Sequence, residues 1–106
     1  MTTHPIDRLF QLIASRKGVD PSASYTAKLF QEGRLKCAKK LGEEAVETSL
    51  AAVGQDKAAL IGESADLLYH LLVLWAVCDV APTDVYAALE ARQARSGLEE
   101  KASRKP

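Results

Sequence analysis

The run Leu67–Cys78 (Leu-Leu-Tyr-His-Leu-Leu-Val-Leu-Trp-Ala-Val-Cys) constrains the chain more than any other feature, because it is apolar almost all round. At about 3.6 residues per turn, a helix of this sequence has no face for solvent and must be enclosed on every side. Yet Glu63, Asp66 and His70 share one narrow stripe, at spacings of three and four, that leads into this segment. Charges entering a buried helix are costly unless they are paired or bound to a cation. A chain of 106 residues buries a modest share of its own surface. A partner subunit is therefore expected to cover part of this helix. The unbroken apolar run Leu71–Cys78 is far shorter than the about 20 residues that a bilayer requires.

No strand-type alternation persists anywhere, and no internal repeat or low-complexity segment appears. Pro5–Arg16 reads as a first helix, with Ile6, Leu9, Phe10 and Ile13 on one face and Pro5 in its first turn. Lys17–Pro21 breaks it. A polar segment then caps a short helix from Thr26 to Glu32, which Gly33 ends. Long helices follow over Arg34–Val53 and Lys57–Cys78, joined by Gly54–Asp56, with Asp56 as the cap of the second. Pro82 opens a last helix to about Ala94, and 98–106 reads as a charged, loosely held tail. Short turns between long helices make neighbours antiparallel, so the expectation is one all-α domain over 1–106, an antiparallel helical bundle completed by homodimerisation.

With 14 basic and 14 acidic residues the formal charge is zero, which gives no field for nucleic acid or a membrane surface. Cys37 and Cys78 lack CxxC spacing and sit among apolar neighbours, as small buried hydrophobes of a reducing compartment do. The N-terminus has no signal-peptide pattern, and the chain reads as cytoplasmic.

The chemistry lies in the spacing of the acids. Glu44 and Glu47 are three residues apart, as are Glu63 and Asp66, so the members of each pair lie about 60° apart on their helix. A short antiparallel turn lets the two pairs face each other. Four carboxylates around one cavity repel unless a cation neutralises them. Oxygen-only ligands suit Mg²⁺, with Mn²⁺ as a substitute. A di-iron bundle would need two Glu-x-x-His pairs, and the sequence has none. Taken alone, the acidic stripe of the Arg34–Val53 helix also reads as a solvated face. Against that, Lys39–Glu43 and Lys40–Glu44 run in the weaker order for helix-stabilising pairs. His70 reads first as a hydrogen-bonded core histidine, and its place one turn beyond Asp66 also lets it support a ligand.

The Glu44-x-x-Glu47…Glu63-x-x-Asp66 pattern resembles the signature of the all-helical, MazG-like nucleoside triphosphate pyrophosphohydrolases. The segments Ser24–Leu29, Lys40–Glu47, Ala65–Leu74 and Arg95–Arg104 are similar to the phosphoribosyl-ATP pyrophosphohydrolase family of that group. The resemblance implies hydrolysis of 1-(5-phosphoribosyl)-ATP to 1-(5-phosphoribosyl)-AMP and pyrophosphate, the second step of histidine biosynthesis. It implies a Mg²⁺ requirement and a homodimer, and a product handed to a separate cyclohydrolase. Carried over, Glu44, Glu47, Glu63 and Asp66 are the metal ligands, and Glu43 and Glu47 are the candidates for handling water. Ser24, Thr26, Lys28, Lys40, His70 and Arg95 are the expected substrate-binding residues. Cys37, Ser64 and Gln93-Ala94 depart from the family's usual residues without touching a ligand position. Two rival readings are a house-cleaning enzyme for free nucleoside triphosphates and a non-catalytic dimerisation module with a solvated acidic stripe.

Overall fold

The computed structural model describes residues 4–94, and over these the chain is helical, without a strand. Five helices follow in order: α1 Pro5–Ala14, α2 Tyr25–Glu32, α3 Arg34–Val53, α4 Lys57–Val77 and α5 Pro82–Gln93. Arg95 and the expected tail lie outside the described residues.

Local chemistry sets most boundaries. Ser24 accepts a hydrogen bond from the Ala27 amide (3.1 Å) at the start of α2, and Asp56 accepts one from Ala59 (3.0 Å) at the start of α4. Pro5 and Pro82 occupy first turns, where their missing N–H is no loss. α1 stops at Ala14, two residues before the expected Arg16. There the ladder tightens to i→i−3 bonds, from Arg16 to the Ile13 carbonyl and from Lys17 to that of Ala14. Between α2 and α3 stands a single residue, Gly33, at φ 92° and ψ −178°, a backbone region open in practice only to glycine.

The core gathers at one end of the molecule. Ile13 of α1, Leu29 of α2, Cys37 of α3 and Leu72, Val73 and Ala76 of α4 are buried together. Phe10, Phe30, Tyr69 and Trp75 pack around them. The Cys37 thiol donates to the Leu29 carbonyl (3.4 Å), and burial pushes its pKa up, as befits an inert packing group. At the other end α3 and α4 form a long antiparallel hairpin, and there the apolar residues are not covered. Leu50 is 64% exposed and Val53 80%; Val46, Ile61 and Leu68 are exposed as well, as is Leu35 (85%) at the start of α3. One chain thus encloses only the second half of α4, not the whole helix. Taken end to end, α4 is long and apolar enough to cross a membrane, which its unbroken apolar run alone is not. Here it packs against α1, α2 and α3.

Candidate metal centre

The hairpin of α3 and α4 brings the two acidic pairs together. Glu44 of α3 and Glu63 and Asp66 of α4 each offer a carboxylate oxygen, and these oxygens lie within 4.8 Å of one another. Glu44 and Glu63 are partly buried, while Asp66 opens to solvent. Glu47, one turn beyond Glu44 and exposed, lies close enough to hydrogen-bond with both Glu44 and Glu63. The four acids singled out by spacing therefore share one site.

Among the described residues no lysine or arginine pairs with these carboxylates. Desolvation, the adjacent Glu47 carboxyl and then the charges of Asp66 and Glu63 push the Glu44 pKa up to about 7. Glu63 is raised as well, first by its hydrogen bond with Glu47 and then by burial. One buried oxygen of Glu44 (Oε2) and one of Glu63 (Oε2) have no hydrogen-bond partner among the described residues. Buried polar atoms are rarely left so. Hard, oxygen-only donors with unpaired lone pairs, crowded enough to repel, fit a divalent cation of the Mg²⁺ or Mn²⁺ kind.

His70 borders this cluster from the core side. It is 6% exposed, with Nε2 4.0 Å from Oε1 of Glu44 and Nδ1 buried without a hydrogen-bond partner among the described residues. Its ring packs edge-on against Tyr69 (centroids 5.0 Å apart) and Tyr25 (6.3 Å). Burial first, and then the charge of Lys40, lower its pKa, against smaller opposing effects of Asp66 and Glu43. It is thus a neutral imidazole between an aromatic wall and a ligand carboxylate.

Of the remaining expected residues, Arg95 lies outside the described residues. Lys40 pairs with Glu43 (3.5 Å), and Glu43 is not one of the three carboxylates that meet. Ser24 spends a lone pair on the α2 cap. Thr26 is hydrogen-bonded to the Tyr69 hydroxyl, and Lys28 is exposed on α2. Ser24, Tyr25, Thr26 and Tyr69 line a cleft of about 280 Å³ that Arg16 also borders. Sequence reasoning missed the cleft residues Arg16 and Tyr25, and Thr48 as well. Thr48 lies one turn after Glu44, and only the packing of α3 on α4 shows what its hydroxyl touches.

Comparison with known proteins bears on the same residues. The model of the family described as phosphoribosyl-ATP pyrophosphohydrolase matches residues 6–93. The chain is 61% identical over 99 residues to a phosphoribosyl-ATP pyrophosphatase of Parvibaculum lavamentivorans, covering 93% of this chain and 91% of that protein. A protein of the same name from Paramagnetospirillum magneticum is 60% identical over the same shares. Another, from Paracoccus denitrificans, is 57% identical over 96% of both chains. The family match runs through both helices that supply the carboxylates, and the chain belongs to the phosphoribosyl-ATP pyrophosphohydrolase family.

Proposed function

We propose that this chain hydrolyses 1-(5-phosphoribosyl)-ATP to 1-(5-phosphoribosyl)-AMP and pyrophosphate, the second step of L-histidine biosynthesis. The observation that carries the reading is the meeting of Glu44, Glu63 and Asp66 within 4.8 Å, in a chain whose relatives are named for that substrate. Glu44, Glu63 and Asp66, with Glu47 at the rim, hold Mg²⁺, for which Mn²⁺ substitutes. When bound, the cation neutralises triphosphate charge as the phosphoanhydride breaks.

The chain's own residues do the rest. Glu47 is exposed beside the inner carboxylates and takes the proton of the attacking water; Glu43 is the alternative acceptor. Water adds across the α–β phosphoanhydride, and pyrophosphate departs. Lys40 supplies fixed positive charge next to the acids, and Lys28 and Arg95 are the further phosphate contacts. Ser24 and Thr26 border the cleft into which the nucleotide extends. His70 walls the site from the core side, its Nε2 4.0 Å from the Glu44 carboxylate.

Pyrophosphate release from phosphoribosyl-ATP, measured with Mg²⁺ and with EDTA, tests the reading. Release only with the cation, undiminished by an excess of common nucleoside triphosphates, is the expected result. Release from those triphosphates in preference to phosphoribosyl-ATP would overturn the substrate.

The working unit is a homodimer. Leu35, Val46, Leu50, Val53, Ile61 and Leu68 are exposed along α3 and α4, more aliphatic surface than a lone helical hairpin holds in water without association. Sedimentation equilibrium at micromolar concentration should return twice the chain mass. The enzyme works in the cytoplasm.

A further inference from the structure

Each acidic pair is rigid in itself. Glu44 and Glu47 ride on α3, and Glu63 and Asp66 ride on α4, each pair fixed by one turn of helix. What remains free is how the two helices sit against each other, and a cation site tolerates error of only about 0.5 Å in its ligands. At the joint lies a hydroxyl. Thr48 Oγ1 is 2.7 Å from the main-chain carbonyl oxygen of Glu44 and 3.1 Å from that of Glu63. Its single proton is shared between the two carbonyls, one on each helix, and both belong to residues of the carboxylate cluster. A threonine bonded only to its own i−4 carbonyl is common in helices. Ser49 next door does that alone, donating to the Ala45 carbonyl (2.9 Å) on the exposed side and reaching no second helix.

We infer that Thr48 is a positioning residue for the metal centre, pinning the main chain of Glu44 to that of Glu63 so that carboxylates from two helices keep one spacing. Aliphatic contacts between helices resist separation but allow sliding, whereas a hydroxyl held between two carbonyls is directional. Thr48 touches neither cation nor substrate and acts through the two glutamates. This stands on the cation reading proposed above.

The test is titration of the full chain with Mn²⁺ alone, following free Mn²⁺ by electron paramagnetic resonance, beside circular dichroism of each variant in EDTA. Thr48→Val keeps the shape and removes the hydroxyl. It should bind Mn²⁺ about 10- to 100-fold more weakly, the usual effect of losing a group that orients a metal ligand. Thr48→Ser should restore the wild-type affinity, and Ser49→Ala, which removes the same kind of bond on the outer side, should leave it unchanged. A merely structural role would lower the melting temperature in EDTA and leave the affinity of the folded protein alone. Thr48→Ala provides the same comparison if the valine variant does not fold. Wild-type affinity in either folded hydroxyl-free variant overturns the positioning role, as does a loss in Thr48→Ser equal to that in Thr48→Val. If the wild-type chain itself shows no stoichiometric Mn²⁺ site, the cation reading falls, and the role of Thr48 falls with it.

Discussion

The two ends of α4 are built to opposite rules. Its second half packs Leu72, Val73 and Ala76 into a closed core with α1, α2 and the start of α3. Its first half carries Glu63 and Asp66 into a cluster of like charges, with Ile61 and Leu68 left exposed beside them. One end satisfies its own groups; the other has unpartnered carboxylate oxygens and uncovered aliphatics. The difference teaches that stability and chemistry are segregated along a single helix. The closed end holds the hairpin, and the open end carries the groups that this chain leaves unpaired among the described residues.

Activity offers the largest contrast. Asp66→Ala or Glu44→Ala should cut pyrophosphate release on the order of 10³-fold, the scale of losing a preorganised electrostatic contact, with circular dichroism unchanged. Turnover close to wild type would remove the carboxylates from the chemistry. At the closed end, Leu72→Ala should lower unfolding free energy by about 2–5 kcal/mol in urea titration, because Leu72 is fully buried. A smaller change at Leu72 than at an exposed aliphatic would break the division between the two ends.

Acidity tests the open end by itself. Glu44 holds its proton to about pH 7 in the folded chain, against about 4.5 when unfolded. The folded state therefore binds more protons in that window, and the stability of the metal-free protein should fall as pH rises from about 4.5 to 7. Thermal melts in EDTA across this range should show the decline, and Glu44→Gln or added Mg²⁺ should flatten it. Melts that rise through the window would contradict the crowding of the carboxylates.

Association sharpens the comparison further. Leu50→Glu should shift the chain from dimer to monomer in sedimentation while leaving it helical. If the face is merely solvated, the same change stays within about 0.5 kcal/mol of wild-type stability and alters no mass. Ser24→Ala is the smallest case, costing about 1 kcal/mol through the lost α2 cap. A drop in kcat/KM beyond that of the folded fraction would mark a second duty for Ser24 at the cleft.

Much of this was legible in the sequence because the signals are local. Caps at Ser24 and Asp56, prolines at 5 and 82 and the glycine at 33 placed the helices to within two residues. The acidic cluster was legible for the same reason, since three-residue spacing fixes a face and a short turn fixes the facing helix. Illegible was what depends on the distance between helices. Helical spacing sets Thr48 on the Glu44 face and Ser49 off it, but not that the Thr48 hydroxyl reaches across to α4 while that of Ser49 stays on its own helix. Likewise the broad apolar face of α3 gave no sign of which aliphatics one chain covers and which it leaves open. The pairing of Thr26 with Tyr69 joins residues 43 positions apart and has no local trace.

Gly33 has a mechanical consequence. α2 and α3 are rigid rods joined by that one residue, and α2 with its eight residues is about 12 Å long. A swing of about 10° at the joint carries the far tip of α2 through about 2 Å, by the length of the rod alone. Ser24 and Thr26 ride near that tip, opposite the elbow. One torsion at position 33 thus sets how the hydroxyl-bearing end of α2 meets Tyr69 at the cleft, as an elbow places a hand.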